Sequence, residues 1–242
     1  MSTSTETLQI ANVEIDVVRK EIKNMHLAVY PPLGRIRLAV PQNTDKEVLR
    51  LFAISKLGWI KNHVKNFQEQ ARETKRDYVT GESHFFQGNR YILEVKEDDG
   101  YSKVQVTGTK KISFKVSKVA TVEDKSRIMK EWYRKQLKIQ IPPLIDKWEK
   151  IIGVKTDDWG VKQMKTKWGA CNTDAKRIWL NLELAKKPPI CLEYILVHEL
   201  VHLHEKNHND RFIALMNEFM PKWRLYRNEL NSLPIVHNDW GY

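Results

Sequence analysis

The run from Ile190 to Val201 (ICLEYILVHELV) is apolar at every position except Glu193, His198 and Glu199. A helix apolar on nearly all sides is a buried one. Pro189, just before it, suits the first helical position, where its missing N–H costs nothing. The fold must therefore wrap a core around this segment. Burying His198 and Glu199, with His202 one turn further on, demands polar partners. A metal ion supplies them; histidines satisfied by ordinary hydrogen bonds are the alternative.

The spacing favours the metal. His198 and His202 project only about 40° apart on a helix, so both imidazoles reach one point. Two neutral imidazoles at that spacing suit Zn²⁺. Glu199 lies about 100° round from His198, where it can take a proton from a metal-activated water. The arrangement is H-E-x-x-H. A catalytic zinc keeps three protein ligands and one open position, and His204, Glu205 and His208 are the candidates for the third. His204 projects about 240° from His198, away from the site. Glu205 lies two turns, about 10.5 Å, along the axis from His198, too far to close a tetrahedral site easily. His208 completes H-E-x-x-H-x5-H, a spacing known where a glycine turns the chain back. Here Glu205 stands at the glycine position, and Asn207 is expected to take the left-handed turn instead. His208 is the expected third ligand. Met216 and Met220 fall on a predicted helix with Phe212, Leu215, Phe219 and Trp223, where core packing accounts for them.

The rest of the chain reads as mixed α+β. The 242 residues are ordinary globular composition, and that length buries a core without disulfide or metal staples. The cysteines, Cys171 and Cys191, form no C-x-x-C pair, which excludes a zinc ribbon and a disulfide scaffold. Two reduced buried thiols are expected. Residues 25–30 and 35–40 flank Pro31-Pro32-Leu33-Gly34 as a predicted hairpin, with 13–18 a third strand. Thr44 and Glu47 predict a capping box for a helix to about Arg72, bent near Gly58. Strands return over 78–118, with turns at Gly88-Asn89 and Gly108-Thr109. Thr121 and Asp124 cap a second helix, which Pro142-Pro143 is expected to break near Gln140. Strands at 161–168 and 177–182, linked by GACNTDAK, precede three helices over 190–232. No internal repeat is visible. A boundary near residue 120 divides a strand-rich region with one helix, 1–120, from a catalytic half, 121–242.

The formal net charge of +11 is carried by both halves rather than by a tail. An even, lysine-rich excess serves solubility; a polyanion partner is the alternative. Residues 101–120 hold five lysines and no acid, which reads as a lysine-decorated sheet face. No secretory signal and no membrane-spanning run is visible, so the expected place is the cytoplasm.

Residues 196–212 (LVHELVHLHEKNHNDRF) and 164–184 (MKTKWGACNTDAKRIWLNLEL) together resemble the YgjP-like metallopeptidases. The family pattern is similar to W-G-S-C, L-N-x-x-L and H-E-L-x-H-x5-H-x3-F. Trp168, Gly169, Cys171, Asn181, Leu184, His198, Glu199, His202, His208 and Phe212 match it. Ala170 departs from it, standing where the family usually has serine. The resemblance extends over roughly residues 10–235. It implies a zincin-like half, with a small sheet packed on the H-E-x-x-H helix, and Zn²⁺ as the metal. Related SprT-like and WLM families share the motif and include peptidases that act on proteins crosslinked to DNA.

The expected chemistry is metal-assisted hydrolysis of a protein or peptide, with His198, His202 and His208 as ligands and Glu199 as general base. The extended substrate is expected along an edge strand within 161–168 or 177–182. Trp168 and Trp179 are candidate walls. A nucleic-acid-associated module is the rival reading. It rests on the 101–118 lysines and on Lys162, Lys165, Lys167, Lys176 and Arg177, taken to surround the cleft.

Overall fold

The computed structural model describes residues 5–30, 34–69, 76–98, 100–164 and 167–232. The fold is mixed α+β, with three sheets and six α-helices among those residues. The chain divides into two compact units near residue 74, not near 120. The strands of 83–116 stay with the later helices because they share one core. Leu93, Ile112 and Phe114 are buried in the same cluster as Met129, Leu137 and Leu196.

In the first unit, β1 (Thr5–Ile10), β2 (Val13–Lys20), β3 (His26–Tyr30) and β4 (Arg35–Pro41) form a sheet of order β1-β2-β4-β3. β3 and β4 are the expected antiparallel hairpin, although Pro31 to Leu33 lie outside the described residues. Strand alternation sends Ile15 and Val17 of β2 and Ile36, Leu38 and Val40 of β4 into one core. Leu49, Ala53 and Ile60 meet them from α1 (Lys46–Ser55) and α2 (Leu57–Glu69). Two details differ from the sequence reading. The N-cap is Asp45, which accepts from the Glu47 amide at 2.7 Å, while Thr44 Oγ1 donates back to the Pro41 carbonyl. The break falls at Lys56 rather than Gly58.

In the second unit, β5 (Ser83–Phe86), β6 (Asn89–Glu97), β7 (Lys103–Thr107) and β8 (Lys111–Val116) form a sheet of order β5-β6-β8-β7. Its pairing repeats that of the first unit: antiparallel hairpins outside, a parallel pair inside. The repeat is one of topology. Alternating apolar residues of any kind satisfy it, so the sequence carries no trace. The β5–β6 turn uses Gln87 and Gly88, at φ 49° and 79°, rather than Gly88-Asn89. Both turn amides donate onward, to the carbonyls of Ala185 and Lys186. A Cβ on Gly88 would lie 2.8 Å from Pro188 Cγ, so only glycine lets this turn dock there.

α3 (Val122–Ile152) opens with the expected Thr121/Asp124 capping box, worth about 1 kcal/mol. It runs unbroken through Pro142 and Pro143. Both prolines lie off the core, while Leu137, Ile141 and Ile145 are buried and hold the helix axis on its course.

A third sheet, of order β10-β11-β9, comprises β9 (Asp158–Lys162), β10 (Gly169–Asn172) and β11 (Arg177–Asn181). GACN is therefore a strand rather than a link. A 3-10 turn (Leu182–Lys186) leads to α4 (Pro189–Val201), α5 (Asp210–Phe219) and α6 (Trp223–Ser232). α4 starts at the expected proline and packs on β10, β11, α3, α5 and α6, which explains its apolar surface. No helix among the described residues is long and apolar enough to cross a membrane.

Candidate metal centre

His198 and Glu199 sit in the last turn of α4, and His202 keeps helical geometry one residue past its end. The chain then folds back on itself. The amides of His204 and Glu205 both donate to the Val201 carbonyl, and Asn209 donates to Asn207. Asn207 does not adopt positive φ, so this return needs neither the expected left-handed residue nor a glycine. Asn209 caps α5 by accepting from the Phe212 amide at 3.0 Å. The result brings His208 against the helix.

Three imidazoles converge. One ring nitrogen of each of His198, His202 and His208 lies within 4.8 Å of the others, and His208 Nε2 stands 3.0 Å from His198 Nε2. The Phe212 ring lies 4.7–4.9 Å from all three as an apolar floor. His202 Nδ1 lies 3.0 Å from the Glu205 carbonyl, which holds the ring with Nε2 towards the cluster, as ligating histidines are held. His204 is directed away, its Nε2 on the Ile152 carbonyl at 2.9 Å. Glu205 is not in the cluster.

The electrostatics suit a cation. Burial, then the neighbouring His202 and His208, push His198 down to about 3. Burial also lowers His202. These rings are neutral near pH 7, the form that ligates. His198 Nδ1 is buried with no hydrogen-bond partner. Three converging imidazole nitrogens beside a buried carboxylate are a donor set that a divalent ion fits.

Glu199 is 5% exposed, and burial pushes its carboxyl up to about 8, against a smaller opposing pull from Lys167. Gly169 of β10 lies directly on it: a Cβ there would come 2.5 Å from Glu199 Oε1. Cys171, in the same cleft, is pushed up to about 11 by burial and then by Glu199. It is a neutral thiol and not part of the cluster. Both cysteines are free.

The cleft, about 480 Å³, runs between β10 and the three histidines. Trp168 lines it as expected; Trp179 does not, because its ring covers Gly160. Among the described residues, only Lys167 of the five bases expected around the cleft lines it. Lys162 lies over Trp179, Arg177 pairs with Asp158, and Lys165 is outside the described residues. The sequence reading missed Lys206, which does line the cleft. β11 is the central strand, so 177–182 offers no free edge; the edge beside the histidines is β10.

Asn181 is buried and uses its whole amide. Its Nδ2 donates to the carbonyls of Met164 and Lys167, and its Oδ1 accepts from Met164 and Glu183. It ties down both ends of the segment that delivers Lys167 and Trp168 to the cleft.

No curated protein sequence matches the chain. Among solved structures, it shows a likeness to the crystal structure of the metallopeptidase zymogen abylysin of Pyrococcus abyssi. The two are 18% identical, with a TM-score of 0.34, over 36% of this chain and 89% of that one. Residues 23–233 match the family model described as YgjP-like, metallopeptidase domain, and the chain therefore belongs to the YgjP-like metallopeptidase family.

Proposed function

We propose that the chain is a zinc-dependent peptidase that hydrolyses peptide bonds, with His198, His202 and His208 as the metal ligands and Glu199 as the general base. The observation that carries this reading is the convergence of three imidazole nitrogens within 4.8 Å beside one buried carboxylate. Three nitrogens with a free fourth side are the ligand set of a catalytic rather than a structural zinc. A bound zinc supplies Lewis acidity, polarising a carbonyl and making water a usable nucleophile near neutral pH.

The protein's own groups do the rest. Glu199 accepts the proton of the attacking water and returns it to the departing amine. Burial alone raises its carboxyl to about 8 in the metal-free protein. A divalent charge nearby favours the ionised form. The free edge of β10 is suited to hold an extended peptide by main-chain hydrogen bonds. Trp168 forms one wall of the cleft, and Lys167 and Lys206 set a positive field at its rim.

Elemental analysis and casein cleavage test the reading together. The expected result is about one zinc per chain, reduced in His208→Ala, with cleavage lost in Glu199→Gln while zinc is retained. Absence of bound metal under every loading condition overturns it. Zinc without cleavage of casein or of a broad peptide mixture overturns the peptidase assignment alone.

A further inference from the structure

A second groove, about 770 Å³ against about 480 Å³ for the cleft beside the histidines, lies between β7 and α3. Val104 and Val106 of β7 form one wall; Ile128, Trp132 and Ile139 of α3 form the other. Apolar groups around it face solvent: Tyr101 is 81% exposed and Ile139 70%. β7 is the terminal strand of its sheet and pairs only with β8 among the described residues. Edge strands are ordinarily blunted by proline, charged side chains such as lysine, a bulge or covering structure, and β7 carries one lysine, Lys103. Its five residues, Lys103-Val-Gln-Val-Thr107, carry no proline and pair without a bulge.

Charge specifies what such an edge accepts. Arg127 at the rim is paired with Asp124, and Glu131 with Arg134. Lys103 and Lys135, also at the rim, have no acidic partner among the described residues. The register sets Lys103 opposite Lys115, whose ammonium is paired with Asp98 at 3.3 Å. No acid occurs from residue 101 to 120.

We propose that the β7 edge and this groove dock an extended, acidic segment of a second protein, which joins the sheet as a fifth strand beyond β7. Main-chain groups of β7 bind its backbone, its apolar side chains enter the groove, and its carboxylates meet Lys103 and Lys135. A second copy of the chain is disfavoured, because it would set one lysine-bearing edge against another. Nucleic acid is disfavoured because Trp132 is only 8% exposed and Phe86 is buried, which leaves Tyr101 as a single exposed ring where single strands use a succession of stacking platforms. The site stands independently of the metal centre.

The test uses full-length Glu199→Gln protein, so that the probe is not cut, and a fluorescein-labelled peptide of five valines alternating with five glutamates. Saturable anisotropy is expected, weakened at least tenfold in Lys103→Glu/Lys135→Glu and several-fold in Ile139→Ser. These substitutions lie outside the core, and unchanged melting temperatures check that the fold is kept. Hydrogen exchange is expected to slow at amides in 103–107 on peptide binding, a signature that simple charge attraction would not produce. The proposal is overturned by no saturable binding up to 1 mM peptide, by equal binding to the double variant, or by bound peptide without protection of β7. A single-stranded oligodeoxynucleotide that protects β7 in place of the peptide, or self-association abolished by Ile139→Ser, also overturns it.

Discussion

Gly169 and Glu199 are packed so closely that a single methyl group would not fit between them: a Cβ on Gly169 would stand 2.5 Å from the Oε1 and 2.8 Å from the Cγ of Glu199. The absence of a side chain on an edge strand thus sets the position of the proposed general base. Gly169→Ala must move either the carboxylate or β10. Since proton transfer falls off steeply with misplacement, the variant is expected to lose at least about tenfold in kcat while keeping its metal. Unchanged kcat in Gly169→Ala would show that Glu199 is free to adjust.

The same carboxyl makes a pH-dependent contribution to stability. Burial holds it at about 8 in the folded metal-free protein, against an ordinary 4.5. Folding therefore takes up a proton between those values, and metal-free stability falls as pH rises through about 4.5 to 8. Glu199→Gln removes this dependence. In chelator-treated samples, the variant is expected to melt above the wild type at pH 8, with the difference vanishing below pH 4.5. Parallel melting curves for the two across that range would refute the burial argument.

His198 imposes the opposite slope. Its folded value, about 3, lies below the ordinary 6.5 because of burial and the neighbouring imidazoles. The unfolded chain then binds the extra proton, so metal-free stability from this group is complete above pH 6.5 and is lost as pH falls towards 3. In a metal-free Glu199→Gln background, where the first slope is absent, replacing His198 with Phe is expected to flatten the acid limb of the melting profile. An unaltered acid limb would assign the loss to other groups.

Both thiols should react slowly. Burial pushes Cys171 to about 11 and Cys191 to about 12, so little thiolate exists at pH 7.5. Alkylation by iodoacetamide, followed by mass spectrometry, is expected to run well below the rate of an unhindered cysteine at Cys171. At Cys191, which is fully buried, it should await unfolding. Rapid labelling of Cys171 in the native protein would mean a depressed rather than a raised thiol.

Asn181 offers a test of how the cleft wall is held. Asn181→Ala leaves the Met164 and Lys167 carbonyls and the Glu183 amide without the partner they now share. Unsatisfied groups at a buried site cost about 1–3 kcal/mol each before water enters. A loss of roughly 2–4 kcal/mol in unfolding free energy is expected, with weaker substrate binding as Lys167 and Trp168 lose their anchor. Denaturant unfolding together with separate kcat and KM values checks this, and a variant as stable as wild type would contradict it.

Much of this was legible in the chain itself, because local rules governed it. The buried helix of 189–201, its proline start, the capping box at Thr121 and the β3–β4 hairpin each follow from side-chain chemistry over a few residues. So does the gathering of His198, Glu199 and His202, since 3.6 residues per turn is a property of any helix. That His208 rather than Glu205 joins this cluster was also readable, from the reach of a helix against that of a chain that doubles back.

What tertiary structure alone decided lies where local preference is outweighed by packing or set by distant partners. Pro142 and Pro143 argued for a broken helix, but burial of Leu137, Ile141 and Ile145 keeps α3 continuous. The boundary moved from about 120 to 74 because one hydrophobic cluster joins strands and helices far apart in sequence. GACN became an edge strand because β11 lies beside it to pair with, and the identity of an edge is a relation between strands that no single strand encodes. The contact of Gly169 with Glu199 spans thirty residues of chain and exists only once the sheet lies on α4.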